Sequence, residues 1–319
     1  MNTVEKTLNS VRILEIQPEQ AGQRIDNFLL SHLKGVPKSR IYRCLRRGEV
    51  RVNKSRIASG YRLQRGDQVR IPPLRVSHSS IKEPITQSLL HQIEASLLHE
   101  DENLLILNKP AGIAVHSGSG VSYGIIEALR LLRPETPFLE LAHRLDRETS
   151  GCLIVAKARS ILLTLQMMQK NQLIHKGYFA LVKGRWQKNT QRVDLPLLKN
   201  ILRSGERVVK VSMAGKFASS YFRPKQFYNE ATLMTVTLET GRTHQIRVHA
   251  AYLGHPLGGD EKYGDPAFNK KLRSLGLHRL FLHAHQLTFT LPTEKRPIKI
   301  IAPLPEELDI VLKAYSTKS

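Results

Sequence analysis

The sequence predicts an α+β protein of two unequal domains, a small basic unit followed by a larger domain of mixed sheet and helices. Three observations predict it. The chain has 319 residues, too many for one small module and enough for a large domain with a companion. Strand-like segments stand both singly between helical ones and in neighbouring pairs, a mixture that disfavours a doubly wound parallel sheet. Composition also breaks at Pro72-Pro73, where Ser77, Ser79, Ser80, Pro84 and Ser88 follow. That break makes 1–19 an N-terminal tail with one strand at 11–16, 20–74 a compact unit, 75–95 a linker and 96–319 the large domain.

In the small unit Ile25, Phe28, Leu29 and Leu33 recur at helical spacing, which predicts a helix over 24–33. Lys34-Gly35-Val36-Pro37 breaks it, and Ser39 is a suitable N-cap for a second helix. On that helix Ile41, Leu45 and Tyr42 fall on one face, and Arg40, Arg43 and Arg47 on the opposite one. Short strands follow at 49–53 and 68–71, the latter after a Gly66-Asp67 turn. From Lys38 to Arg65 there are ten basic residues against one acid, Glu49. In the large domain, residues 104–107, 151–156, 178–182, 231–238 and 281–289 read as strands. Residues 160–168, 243–253 and 305–315 read as helices, with Ile246, Ala250 and Leu253 on one face of the second.

Lys+Arg 49 against Asp+Glu 27 gives a net charge of +22, which points to a polyanionic partner such as RNA or DNA. Hydrophobic residues at 41% make the chain globular. Two cysteines, Cys44 and Cys152, cannot build a disulfide framework or a four-ligand zinc site and are expected to be small buried residues. No apolar run approaches the roughly 20 residues that span a bilayer. The first ten residues lack the apolar core of a secretory signal, so a reducing cytoplasm is expected.

Nucleotide and metal motifs are missing. There is no phosphate-cradling G-x-x-x-x-G-K-[ST] and no H-E-x-x-H. Gly118-Ser119-Gly120 begins like a dinucleotide fingerprint, but Tyr123 stands where its third glycine belongs. His283 and His285, two apart on a strand, read as core or groove histidines rather than metal ligands.

Three clusters carry chemistry. His143-Arg144-Leu145-Asp146-Arg147-Glu148-Thr149-Ser150-Gly151 opens a strand, and an acid between two arginines is favoured in its ionised form, as a nucleophilic carboxylate requires. Gly241-Arg242-Thr243-His244-Gln245-Ile246-Arg247-Val248-His249 places cations at a helix N-terminus, against the helix dipole, so an anionic partner is expected there. Lys176-Gly177-Tyr178 begins a strand, where a tyrosine is ordinarily a packing residue.

The segment Leu141 to Gly151 resembles the H-R-L-D-x-x-T-S-G stretch of RNA pseudouridine synthases of the RluA family. Four more stretches are similar in the same order: Leu107-Asn108-Lys109-Pro110-Ala111-Gly112, Lys176-Gly177-Tyr178, Thr240 onward to His249, and Gly259-Asp260 with Tyr263-Gly264. The N-terminal unit resembles an S4 RNA-binding domain through Arg24-Ile25-Asp26, Lys38-Ser39-Arg40 and Gly48-Glu49-Val50-Arg51-Val52-Asn53. Cys152 departs from the family, where a branched aliphatic is usual, and the linker matches poorly.

The resemblance implies a mainly antiparallel pseudouridine synthase fold and the isomerisation of uridine in large-subunit (23S) ribosomal RNA or its assembly precursor. It implies no cofactor, no metal, no membrane and no required protein partner. Asp146 is the catalytic carboxylate by this likeness, Arg247 its ionic partner, and Tyr178 the residue that stacks on the base and moves a proton. Arg144, beside His143, enters the RNA stack as the base leaves. Lys38, Arg40, Arg43, Arg47, Arg51 and Lys54 grip phosphates, and the basic insertion 199–216 adds a second grip. Two other readings stay open. One is an RNA-binding or ribosome-assembly protein with a vestigial pocket. The other is a hydrolase, which wants a second carboxylate for which Asp260 is the one candidate.

Overall fold

The computed structural model describes residues 10–33, 36–74, 85–117, 123–201 and 207–316. The chain divides into two compact units between Pro84 and Ile85.

In the first unit the elements run β1 (Arg12–Glu15), α1 (Ile25–His32), α2 (Lys38–Arg47), β2 (Arg51–Val52), β3 (Ser55–Arg56) and β4 (Gln68–Ile71). The strands form an antiparallel sheet in the order β1-β4-β2-β3. Residues expected in the tail join it: β1 pairs with β4 through Ile13 and Arg70, and Ile16 is buried. Ile25, Phe28 and Leu29 of α1 and Ile41, Cys44 and Leu45 of α2 meet Val52, Val69 and Ile71 in one core. Two details differ from the sequence expectation. The N-cap of α2 is Pro37, whose carbonyl accepts from Arg40 N at 2.9 Å, so Ser39 is already inside the helix. Proline suits the cap because it lacks the N–H that a helix would leave unpaired there. Tyr42 is exposed rather than in the core, its hydroxyl donating to Asp26 Oδ2 at 3.1 Å. Gly48 ends α2 with φ of 68°, where a Cβ would strike the Arg56 side chain.

The second unit runs α3 (Gln87–Ala95), β5 (Leu97–Glu100), β6 (Leu104–Lys109), α4 (Ile125–Leu132), β7 (Glu140–Leu141), β8 (Ser150–Ala156), α5 (Arg159–Lys170), β9 (His175–Lys183), β10 (Gln191–Asp194), β11 (Leu197–Ile201), β12 (Arg207–Val211), β13 (Ser219–Phe227), β14 (Ala231–Leu238), α6 (Gln245–Tyr252), α7 (Pro266–Ser274), β15 (Leu282–Phe289), β16 (Ile298–Ile301) and α8 (Glu306–Ser316). A large sheet in the order β10-β13-β14-β9-β15-β8-β6-β5 forms its frame, with β16 on β15 and β7 on β8, while β11 and β12 make a separate hairpin. Among the described residues every pairing is antiparallel except that of β8 with β15. The expected α+β class with a mainly antiparallel sheet therefore holds.

The linker expected over 75–95 ends earlier than its serines imply. Thr86 Oγ1 accepts from Leu89 N at 3.3 Å and caps α3, and Ile93 is buried in the large core. The polar residues there are a cap and an outer helix face, not a loop. Residues 75–84 lie outside the described residues, as do Gly118-Ser119-Gly120, residues 202–206 of the basic insertion, and the side chain of Lys38.

β8 shows why the site sits where it does. Its seven residues are all buried because both faces are covered. Leu153 and Val155 face α3 and α4 with Ile93, Ile125 and Leu129. Cys152 and Ile154 face α5 with Leu165 and Met168. At its start Gly151 has φ of 109° and a Cβ there would strike the Ala284 carbonyl of β15, so only glycine allows the one parallel contact. The loop 142–149 enters this rigid strand.

Candidate active site

The loop 142–149 is stitched down at both ends. Ala142 N donates to Ile154 O at 3.0 Å, and Ile154 N donates to His143 Nε2 at 3.2 Å. Burial, and then the Lys176 ammonium, holds His143 well below its ordinary pKa, so the ring is neutral and serves as an acceptor for the strand backbone. Leu145 is buried in the core, and Thr149 N closes a turn on Asp146 O at 3.1 Å.

Lys109, the last residue of β6, is fully buried beneath this loop. Its ammonium donates to Pro110 O at 2.6 Å, Ile113 O at 2.9 Å and Arg147 O at 3.1 Å. Burial pushes its pKa down to about 7. Gly112 N also donates to Arg147 O at 2.9 Å, and Arg147 Nε returns to Gly112 O at 2.7 Å. The loop is thus tied to the Asn-Lys-Pro-Ala-Gly turn.

The arginines flanking Asp146 in sequence do not pair with it. Arg147 turns to Gly112 O and lies 3.7 Å from Glu148, and Arg144 is exposed. Side-chain direction, not sequence adjacency, decides the partner. The nitrogens that approach Asp146 Oδ2 come from α6 and its cap: Arg247 Nη1 at 3.6 Å and His244 Nε2 at 3.8 Å.

α6 is aimed by its cap region. His244 takes φ of 56°, a left-handed conformation uncommon outside glycine. Gln245 holds the turn, accepting from Arg242 N at 3.0 Å and Thr240 Oγ1 at 2.8 Å and donating to Ser219 O at 2.9 Å and Ser220 Oγ at 2.8 Å. Arg247 is buried and forms a bidentate pair with Asp260, Nε to Oδ2 and Nη2 to Oδ1, both at 2.7 Å. Asp260 also accepts from Lys262 N at 2.9 Å and Tyr263 N at 3.0 Å. Burial alone would push its carboxyl up, but the Arg247 hydrogen bonds and charge, with these amides, hold it below the usual carboxylate range. Asp260 therefore fixes the guanidinium and leaves Nη1 facing Asp146.

The opposite wall is β9. Tyr178 is buried, and its hydroxyl has no hydrogen-bond partner among the described residues. Burial, and then the charge of Asp146, pushes its pKa up, so it remains protonated. Lys176, two residues earlier on the same strand face, donates to Gln169 Oε1 at 3.0 Å, and burial pushes it down to about 8. These groups line a cavity of about 570 Å³ with Arg144, Asp146, Tyr178 and Arg247 around it, large enough for a nucleoside.

Residue reading alone did not single out Lys109, Gln169, Lys176 or His244 by role. Asp260, considered as a second reactive carboxylate, is engaged by Arg247 instead. Cys44 and Cys152 are free and buried. His283 sits in the core between Ser150 Oγ at 2.8 Å and Ala302 O at 3.2 Å, and His285 stacks on Phe179 at 3.8 Å. Among the described residues no group of three or more His, Cys, Asp or Glu could hold a metal ion, and no helix is long and apolar enough to cross a membrane.

Residues 103–252 match the family described as RNA pseudouridylate synthase, and residues 23–69 match the S4 domain. A relative from Pasteurella multocida, "Ribosomal large subunit pseudouridine synthase C", is 53% identical over 97% of this chain and 96% of its own length. Its namesake from Escherichia coli K12 is 53% identical over 94% of this chain and 95% of its own. Among solved structures, human RNA pseudouridylate synthase domain containing 4 superposes with a TM-score of 0.60 at 25% identity, covering 72% of this chain and 96% of the human one.

Proposed function

The chain belongs to the RNA pseudouridine synthase family, and from that premise we propose that it isomerises uridine to pseudouridine in large-subunit ribosomal RNA, with Asp146 as the reacting carboxylate. The observation that carries this reading is the cavity in which Asp146, Tyr178 and Arg247 converge from three separate elements. The reaction breaks the N1–C1′ glycosidic bond, turns the uracil, joins C5 to C1′, and moves the C5 proton away while N1 regains one. It needs no redox partner and no phosphate transfer.

The roles that the family resemblance implies are compatible with this geometry. Asp146 faces the sugar or base of a nucleotide drawn from its stack, which is required because the reacting atoms are unreachable inside a helix. Arg247, clamped by Asp260, holds Nη1 toward the carboxylate and orients it. Tyr178 offers a ring face for stacking and a protonated hydroxyl for the late proton transfer. Arg144, exposed at the cavity rim, is free to occupy the place the base vacates. His143 supports the loop from within.

The S4 unit, through Arg40, Arg43, Arg47, Arg51 and Lys54 with Lys38, supplies phosphate contacts that give affinity and orientation. The hairpin β11–β12, which packs against α6 through Val209 and Val248, carries Lys199 and Lys210 as a second grip. The same reading places the protein in the cytoplasm, where ribosomal RNA is made and assembled, with RNA as its partner. A two-carboxylate hydrolase is disfavoured by the engagement of Asp260 with Arg247.

Incubating the purified protein with transcribed large-subunit RNA and mapping carbodiimide-alkali adducts by reverse transcription tests the proposal. New stops at discrete uridines are expected. An RNA without new stops, under conditions where the protein binds it, contradicts the proposal.

A further inference from the structure

Next to Asp146 stands a pair of groups that the proposed reaction has not used. His244 Nε2 lies 3.8 Å from Asp146 Oδ2, and its other nitrogen, Nδ1, lies 2.8 Å from the hydroxyl of Tyr263. The backbone of His244 is held in the left-handed region, a strain that persists only where the surroundings enforce it. Its side chain and that of Asp146 are both largely buried, at 16% and 17% exposure.

The hydrogen-bond inventory of Tyr263 fixes the direction of each bond. A tyrosine hydroxyl has one proton to give. Val209 N, on β12, donates to the Tyr263 oxygen at 2.9 Å. The hydroxyl proton then needs an acceptor, and His244 Nδ1 is the one present among the described residues. If Nδ1 carried a proton, the oxygen would accept twice and its own proton would be stranded in a half-buried site. The Arg247 guanidinium lies over the Tyr263 ring at 5.0 Å and holds the ring in place.

We propose that Tyr263 fixes His244 in the tautomer protonated on Nε2, and that this N–H is a second donor to the carboxylate of Asp146 beside Arg247. The inference rests on the reading of Asp146 as the reacting group. His244 and Tyr263 are positioning residues, acting through Asp146. At 3.8 Å the contact is open, and a small closure on binding RNA brings it to hydrogen-bond length, as catalytic contacts commonly tighten with substrate. Tyr263 also joins the hairpin β11–β12 to this contact through Val209, so two hydrogen bonds link that hairpin to His244, which faces Asp146.

Long-range proton–nitrogen spectra of the full chain labelled with 15N-histidine test the assignment, with His244 identified by the signals lost in His244→Asn. The expected result is a neutral ring protonated on Nε2 in the wild type and a mixture of tautomers in Tyr263→Phe. Single-turnover assays on a large-subunit RNA fragment give the second readout. Tyr263→Phe should lower the rate at saturating RNA by about tenfold, equivalent to about 1.4 kcal/mol of barrier, with the half-saturating RNA concentration unchanged. His244→Gln, whose amide reaches the Nε2 position, should retain more of the rate than His244→Asn, whose amide stops at the Nδ1 position. An Nδ1-protonated or cationic ring in the wild type overturns the proposal, as does Tyr263→Phe with an unaltered tautomer and rate. Because the spectra read the protein alone, a wrong tautomer defeats this proposal even in an active synthase. An inactive wild type with the right tautomer defeats the functional reading instead.

Discussion

The arginines of α2 and the arginine of α6 carry the same charge in opposite settings. Arg43, Arg46 and Arg47 are exposed, and Arg40 and Arg47 share one acid, Glu49, at 3.2 and 3.9 Å. Arg247 is buried, gives two hydrogen bonds of 2.7 Å to Asp260 and faces Asp146 with what remains. Exposed charges are individually weak and interchangeable, and their sum is what a polyanion feels. A buried charge has an assigned partner, and removing either one strands the other. One unit is built to tolerate losses and the other is not.

Substitutions should separate the two regimes. The largest effect belongs to Asp146→Asn, which should abolish product while leaving RNA affinity within about tenfold, or 1.4 kcal/mol, of wild type. Single-turnover assays beside filter binding measure both, and residual activity within about tenfold of wild type would falsify the role given to this carboxylate. Asp260→Ala should follow, since it leaves Arg247 buried and unpaired. A stability loss of about 3–5 kcal/mol in denaturant titration is expected, with turnover lost as Arg247 drifts from its aim. Unchanged unfolding would mean that the pair is not buried in solution.

An intermediate effect concerns His283, bonded to Ser150 just after the loop that carries Asp146. Burial pushes its pKa down to about 4, with Ser150 and Ala302 bonded to its neutral ring. The unfolded ring titrates near its ordinary value of 6.5, so the unfolded state binds the proton first as pH falls. The stability contributed by the neutral ring is full above about 6.5 and is lost as pH falls toward about 4, by about 1.4 kcal/mol per pH unit at most. In His283→Asn this slope should flatten, whatever the absolute stability. A slope equal to that of wild type would assign acid sensitivity elsewhere. Smallest is Arg43→Gln, expected to leave turnover intact and to reduce the salt slope of RNA binding by about 0.7 to 0.9. A change in the single-turnover rate at saturating RNA would show that the grip is not separable from the chemistry.

The same contrast explains what was legible in the sequence. Ala231–Leu238 and Leu104–Lys109 are read from their apolar runs because a strand covered by core must be apolar. The arginine face of α2 is read from spacing because both exposure and helical period are local. The cluster around Asp146 is visible as a motif, but its wiring is not. Arg144 and Arg147, adjacent in sequence, turn away, and Arg247, a hundred residues on, turns toward it. The role of Asp260 depends on a bidentate fit that exists only after α6 and the turn following it are placed. α3 was hidden for a different reason, since its cap and solvent face carry the polar residues that also mark loops.

The central claim is that grip and chemistry reside in separate units, and removing residues 1–84 tests it most directly. The remaining chain, confirmed as folded by a cooperative melt, is to be compared with the full chain on one large-subunit RNA fragment over a range of salt. The predicted result is weaker binding with a shallower salt slope, and a single-turnover rate at saturating RNA within about tenfold of the full chain. Binding of equal strength and slope, or loss of the rate from a folded truncated chain, would contradict it.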